Sequence, residues 1–243
     1  MLKNLQSDFK KLANPEKAKI LAGFFKTGKG EYGEGDIFLG IIVPEQRKIA
    51  KKYQNLDLKD LQKLLNSKIH EERLTALFIL VDQYQRAKKD SSFAKATEDR
   101  EQLQKKLIDF YLKNTKNINN WDLVDLSAPK ILGNFLLNHD RKILYQLAQS
   151  ENLWEKRIAI LATYTFIKTN DFEDCLNIVK LLLKDKHDLI HKASGWMLRE
   201  IGKKDLKVEE NFLKKYYKDM PRTMLRYAIE KFEVEKRKNF LKI

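Results

Sequence analysis

Trp121 and Asp125 form the pair of residues in this sequence that points most directly to chemistry. They follow Asn119 and Asn120, and an asparagine before an acidic first turn is typical of a helix start. A spacing of four residues then places the indole and the carboxylate on one face of that helix. A carboxylate stabilises positive charge and orients water, and indole faces attract cations. The structural alternative is that Trp121 belongs to the core and Asp125 accepts a hydrogen bond from a neighbouring repeat.

Two downstream blocks contain similar residue types, Trp154–Arg157 and Gly195–Glu200. If the chain is built from repeats, both blocks occupy helices equivalent to the one that begins at Trp121. Equivalent positions of a helical repeat line one face, so we expect side chains of the three blocks to converge on a single groove. The residues expected there are Trp121, Asp125, Arg157 and Trp196.

Helices are needed to position these side chains, and the sequence favours helices throughout. Apolar residues recur at helical spacing, with no sustained alternation of period two. A basic residue opens several of the amphipathic segments; Arg157, Lys192 and Arg226 are 35 and 34 residues apart, and Trp121 precedes Arg157 by 36. This pitch predicts an all-α fold, a HEAT-like helical-repeat solenoid (α-α superhelix) with a concave basic groove.

Composition and charge indicate an anionic partner. The chain has 243 residues, of which 48 are Lys or Arg and 34 are Asp or Glu, giving a formal charge of +14. Such an excess favours nucleic acid binding. The sequence has no apolar run long enough to span a membrane and no basic-then-apolar leader at Met1, so we expect a cytoplasmic protein without a membrane partner. Length predicts a single domain over residues 1–243. A monomer is expected because no apolar heptad seam is evident.

Two segments interrupt the helical pattern. Five of the nine glycines lie between Gly28 and Gly40, without the Gly-Lys-Ser/Thr ending of a phosphate-binding loop. This stretch is interpreted as a flexible loop that closes on DNA, or alternatively as a plain turn. The polar segment Ser91–Glu101 is interpreted as an exposed loop insertion, since it lacks the apolar period needed for burial.

Metal and thiol chemistry find little support in the sequence. His187 and His191 are four residues apart, but no further ligands stand at convincing spacing, so no metal site is expected. Cys175 is the only cysteine and lies in an apolar stretch, which indicates a buried thiol. We expect the protein to act without a cofactor.

With these blocks in order along the chain, the sequence resembles the AlkD-like DNA alkylation repair glycosylases, a family built from HEAT-like repeats. The likeness covers nearly the whole chain. Its most specific parts are Trp121–Asp125, Trp154–Arg157 and Gly195–Glu200, and an N-terminal signature adds Gly30–Ile41 and Pro44–Arg47. The Ser91–Glu101 segment departs from the family pattern outside these blocks.

The resemblance implies a role for each matching residue. Asp125 is expected to be the catalytic carboxylate. The residues expected to bind the lesion or the DNA are Trp121 and Trp196 on either side of the lesion, Arg157 on the backbone, Arg199, and Tyr32 as an aromatic near the site.

The activity that the resemblance implies is that of a monofunctional DNA glycosylase acting on double-stranded DNA. Alkylated purines such as 3-methyladenine and 7-methylguanine are cationic, so the base leaves without a proton and no general acid is required. A carboxylate then suffices to stabilise the oxocarbenium-like sugar and to orient water.

Two other functions remain open at the level of the sequence. A non-catalytic HEAT-repeat protein would bind damaged or distorted DNA and release no base. A protein-protein scaffold, a common function of helical repeats, would have negligible DNA affinity, and the charge of +14 argues against it.

Overall fold

The computed structural model describes residues 1–89 and 97–242 of the protein. Helices dominate these residues, which contain no β-strand; Ile37 and Ile69 form an isolated parallel bridge. The prediction of an all-α fold is therefore confirmed. The chain divides into two compact units, Met1–Ser127 and Ala128–Ile243. The prediction of a single repeat domain over residues 1–243 stays a prediction.

Unit 1 is built around one long helix. Its helices are α1 (Leu2–Leu12), α2 (Pro15–Phe24), α3 (Val43–Lys52), α4 (Leu58–Leu65), α5 (His70–Lys89), α6 (Thr97–Lys113) and α7 (Trp121–Ser127), with a 3₁₀ turn at Thr115–Asn117. Helix α5 contacts α3, α4, α6 and α7. Its residues 70–81 are all buried, which explains why the sequence of residues 74–81 has no polar stripe.

Local signals account for where the N-terminal helices begin. The Asn14 side chain accepts a hydrogen bond from the Lys17 amide ahead of α2, whose first residue is Pro15. Asp57 caps α4 in the same way through the Asp60 amide. Such caps satisfy amide groups that have no partner inside the helix.

Unit 2 continues the helical pattern. It begins with a π turn at Pro129–Gly133, followed by α8 (Lys142–Ala148), α9 (Leu153–Ala162), α10 (Tyr164–Lys168), α11 (Glu173–Leu182), α12 (Asp188–Lys204), α13 (Leu206–Tyr216), α14 (Arg222–Ala228), a 3₁₀ turn at Ile229–Lys231, and α15 (Val234–Leu241). Helix α12 contacts α9, α11, α13 and α14. A Cβ at Gly195 would lie 2.3 Å from the carbonyl oxygen of Met224, so glycine permits the close approach of α12 to α14.

The repeat predicted from the sequence corresponds to helices α9, α12 and α14. Arg157, Lys192 and Arg226 each occupy the fifth position of their helix, so the pitch of 34 to 35 residues describes equivalent helices. The predicted starts are wrong by about one turn, because each helix begins before its basic residue, at Leu153, Asp188 and Arg222. Asn152 accepts from the Trp154 amide ahead of α9, and His187 accepts from the Leu189 amide ahead of α12.

Three smaller predictions have different outcomes. Residues 91–96 of the predicted Ser91–Glu101 loop lie outside the described residues, and from Thr97 onward the segment forms the start of α6. Cys175 is fully buried, and burial raises the pKa of its thiol to about 12, as expected for an inert thiol. In the part of the chain that the structure describes, no helix combines the length and apolarity needed to cross a bilayer.

Candidate catalytic and DNA-binding residues

Helix α7 begins where the sequence predicts. The buried Asn120 side chain accepts a hydrogen bond of 2.8 Å from the Trp121 amide, and Trp121 is the first residue of the helix. Trp121 and Asp125 therefore stand one turn apart on α7, and both are half-buried.

The Trp121 indole belongs to an aromatic cluster of unit 1. It stacks on the Phe25 ring at 5.2 Å between centroids and 15° between planes, and it meets the edge of Phe24 at 5.9 Å. Phe25 is buried, whereas Phe24 is 61% exposed. The indole is thus fixed on one side by packing and remains partly accessible. Trp121 therefore combines features of both alternatives, a core residue and a residue that contacts a ligand.

Asp125 lies near the buried phenol of Tyr111. Burial raises the pKa of Tyr111, and the negative charge of Asp125 raises it further. The Tyr111 hydroxyl lies 3.0 Å from the Ser127 hydroxyl, within hydrogen-bond distance. Asp125 is therefore a half-buried carboxylate at the edge of the core of unit 1, neither locked deep inside nor fully in solvent.

A buried network of charged residues lies beside the Phe25 ring, which contacts the imidazole of His70. Its members are Asp36, His70, Arg73 and Asp122, whose side chains are between 1% and 8% exposed. His70 Nδ1 lies 3.0 Å from Asp36 Oδ2, and His70 Nε2 lies 2.9 Å from Asp122 Oδ2. Arg73 Nη2 donates to Asp36 Oδ2 at 2.6 Å. We call these four residues the His70 network.

The pKa values in the network show which charges are favoured. Burial by itself would lower the pKa of His70, but the charge of Asp122 and hydrogen bonds to Asp122 and Asp36 outweigh burial and raise this pKa. Burial would raise the pKa of Asp36, yet hydrogen bonds and charge from His70 and Arg73 lower it. The imidazolium and the Asp36 carboxylate therefore stabilise each other.

The Gly-rich segment is attached to unit 1 at several points. The Gly33 amide donates to the carbonyl of Lys26 at 2.9 Å, and a Cβ on Gly33 would lie 2.4 Å from the carbonyl oxygen of Phe25. Further along, the buried Glu71 carboxylate accepts from the amides of residues 39–41. Tyr32 lies half-buried within this segment. Closure of the segment on DNA stays a prediction.

Arg157 is buried, unlike an arginine whose whole side chain is free to bind a phosphate. It is only 5% exposed, and its Nη1 donates to the carbonyl oxygen of Leu189 at 2.6 Å. This contact joins α9 to the first turn of α12. The expected hold on the DNA backbone stays a prediction, and part of the guanidinium already serves the packing of unit 2.

Trp196 and Arg199 lie on α12 among acidic side chains. The half-buried Trp196 donates from Nε1 to Glu200 Oε1 at 3.1 Å. Arg199 pairs with Glu230 across to the 3₁₀ turn after α14. Arg199 also faces the buried Glu209, whose pKa burial raises to about 8 although the charge of Arg199 opposes the rise. The DNA-binding role of both residues stays a prediction.

A cleft of about 450 Å³ in unit 2 contains further cations. It is lined by Asp188, Lys192, Thr223, Arg226, Tyr227, Glu230 and Arg237. Lys192 pairs with Asp188 at 2.6 Å. Arg226 and Arg237 have no ion-pair partner among the described residues, so their charge is available to an anion.

The role of His70 is not evident from the sequence, because its partners are distant along the chain. His70 is separated from Asp36 by 34 residues and from Asp122 by 52. From the sequence, Asp122 is simply the acidic residue in the first turn of α7. A buried acid beside Trp121 would have been the one local signal, but no spacing rule connects it to a histidine so far away.

Comparisons with known proteins identify the fold and the family. The profile of a family described as "DNA alkylation repair enzyme" matches residues 5–232. A predicted DNA alkylation repair enzyme from Enterococcus faecalis has a similar structure, with a TM-score of 0.65 and 17% identity, over 91% of this chain and 97% of that one. AlkD2 from Streptococcus mutans is similar with a TM-score of 0.55 and 17% identity, over 90% of this chain and 99% of that one.

A third solved structure, smu.31 from Streptococcus mutans UA159, has a TM-score of 0.53 and 20% identity, over 78% of this chain and 92% of that one. No protein with a curated description matches the chain. The solved structures support the helical-repeat fold, and the family profile spans almost the full length. The chain therefore belongs to the DNA alkylation repair enzyme family.

Proposed function

We propose that the protein is a monofunctional DNA glycosylase that hydrolyses the N-glycosidic bond of cationic alkylated purines in duplex DNA. The observation that carries the proposal is the position of Asp125, a half-buried carboxylate one helical turn after the packed indole of Trp121. Membership of a DNA alkylation repair family supplies the substrate class.

The proposed reaction requires a carboxylate and no general acid. A base alkylated at N3 or N7 carries a positive charge, so the electron pair of the glycosidic bond leaves with it and yields a neutral base. The sugar becomes oxocarbenium-like, and a nearby carboxylate stabilises that charge. Asp125 then accepts the proton of the attacking water as the new C1′–O bond forms.

Selection for the lesion follows from charge. An indole face stabilises a cation by about 0.5 to 2 kcal/mol, depending on how well the site excludes water. The packing of Trp121 against Phe25 fixes its ring in advance, which reduces the entropy lost on binding. A cationic base is thereby favoured over an unmodified one. Trp196 is proposed to act similarly.

Binding to the DNA backbone is proposed to be independent of sequence. The excess of basic residues supplies affinity by displacing counterions from phosphates. The cleft that contains Arg226 and Arg237 is a candidate phosphate site of this kind. Affinity is then general, while the chemical step selects the lesion.

Removing both arginines of the cleft should weaken binding and lower its salt dependence. For Arg226→Ala/Arg237→Ala, the slope of log K against log salt for unmodified duplex is expected to fall by about 2, because two phosphates are no longer neutralised. Fluorescence anisotropy over a salt series measures this slope. Lys207→Ala/Lys214→Ala is the matched control, with two exposed lysines of α13 outside the cleft. Equal slopes for the two double variants would contradict the assignment.

The decisive experiment is release of free base. Purified protein in excess over dimethyl sulfate-treated duplex DNA should liberate 3-methyladenine or 7-methylguanine, identified by mass, at a rate well above spontaneous depurination. Untreated duplex serves as the control. Tight binding to treated DNA without any base released would instead establish a non-catalytic protein that recognises damage.

A further inference from the structure

His70 occupies a position that the proposed reaction does not use directly. We propose that His70 is a positioning residue: by bridging Asp36 and Asp122 at once, it locks the Gly-rich segment to the first turn of α7 and so fixes Trp121 and Asp125 for the reaction. This inference rests on the proposed function. It assigns a role to a group that touches neither substrate nor reacting atoms.

The bridge requires both ring nitrogens to carry a proton. An ionised carboxylate only accepts hydrogen bonds, and His70 has one carboxylate oxygen 3.0 Å from Nδ1 and another 2.9 Å from Nε2. A neutral imidazole carries one N–H, so it donates to one of the two acids and not to both. The geometry of the bridge is therefore that of an imidazolium.

The charged groups that face His70 come from three elements. Asp36 lies within the Gly-rich segment, Arg73 lies one turn further along α5, and Asp122 is the second residue of α7. Arg73 also donates to the carbonyl oxygen of Ser67, which limits its movement toward Asp122. With His70 protonated, two cations balance two carboxylates. Without that proton, the buried network has one excess negative charge, which is unfavourable in a medium of low dielectric constant.

Aromatic packing connects the bridge to the candidate site. Phe38 stacks on the His70 ring at 4.6 Å and Phe25 contacts it at 4.9 Å, while Phe25 also stacks on the Trp121 indole. Trp121 is thus coupled to His70 both through the ring of Phe25 and through the backbone it shares with Asp122. Asp125 follows on the same turn of α7. Loss of the bridge releases the start of that helix.

The pH at which the bridge fails follows from the direction of the pKa shift. The pKa of His70 is raised above its ordinary value of 6.5, so its contribution to stability is complete below pH 6.5 and is lost as the pH rises through the folded-state pKa. The pKa of Asp36 is lowered from 3.8, so its contribution is present above pH 3.8 and is lost in stronger acid. The bridge is strongest between these limits.

His70→Gln tests the proposal in the full-length protein. We expect the single-turnover rate of base release to fall by about tenfold or more, since small misplacements of catalytic groups have large effects on rate. The dissociation constant for unmodified duplex should change by less than about twofold. The wild-type rate should also decline at high pH, and this decline should be absent in His70→Gln. His139→Gln is the matched control, because His139 is an exposed histidine of unit 2 whose ring stacks on Phe135, outside the His70 network.

A readout without DNA separates this inference from the proposed function. In ¹⁵N-labelled protein, the indole signal of Trp121, assigned by its loss in Trp121→Phe, should shift in His70→Gln and should titrate together with His70 in the wild type. The signal of Trp154 should not respond. If the wild type releases no base but Trp121 follows His70, the proposed function is wrong and the bridge stands.

Two results overturn the positioning role. One is a folded His70→Gln protein with the rate, pH profile and Trp121 signal of the wild type. The other result is a titration of the His70 ring proton below pH 6.5 in the wild type, which can be measured even if the variant fails to fold. The His70 signal is assigned by elimination, with the variants His139→Gln, His187→Gln and His191→Gln. A titration above that value supports the bridge.

Discussion

Asp125→Asn is expected to abolish release of 7-methylguanine from methylated duplex DNA, with a fall of about 100-fold or more in the single-turnover rate. Asparagine has the size of aspartate but no negative charge, so it neither stabilises the oxocarbenium-like sugar nor accepts the proton of water. Binding to DNA should be unchanged or tighter, because the variant removes one negative charge from a surface that meets phosphates. The rate and the dissociation constant are measured on the same duplex.

Asp109→Asn provides the control for this substitution. Asp109 is an exposed aspartate of α6, so its replacement removes the same charge away from the candidate site. It should release base at the wild-type rate. Full activity in Asp125→Asn would remove the mechanism proposed for this carboxylate, whereas loss of activity in both variants would point to a general effect of charge.

Gly40→Ala is expected to destabilise the protein by about 3 kcal/mol or more. Gly40 has a φ of +81°, and a Cβ there would lie 2.1 Å from the carbonyl oxygen of Asn14 and 2.6 Å from the Ala18 amide nitrogen. The left-handed conformation alone costs a non-glycine residue about 1 to 2 kcal/mol, and displacement of the α2 backbone adds to it. Thermal unfolding monitored by circular dichroism should show a fall in Tm of about 10 °C.

Gly35→Ala separates the two contributions. Gly35 also has a positive φ, of +88°, but a Cβ there meets no atom within 4 Å. It should therefore lose only the conformational part, about 1 to 2 kcal/mol. If both variants unfold at the same temperature, the tight contact with Asn14 is not what requires glycine at position 40.

Features that depend on neighbours along the chain can be predicted from the sequence alone. Helical periodicity predicted the all-α fold, and the pitch of Arg157, Lys192 and Arg226 identified three equivalent helices. Asn120 indicated the start of α7, and the spacing of four residues placed Trp121 and Asp125 on one face of that helix. These features follow from the geometry of the helix and from caps within a few residues, so a local pattern records them.

The surroundings of those residues depend on contacts between segments that are distant along the chain. Packing across 34 and 52 residues of chain brought Asp36 and Asp122 to the two nitrogens of His70. It directed Glu71 onto the amides of residues 39–41, and it buried Arg157 against a carbonyl group 32 residues away. A buried polar group must find a partner wherever the fold supplies one, and sequence spacing does not encode a partner that only packing brings near.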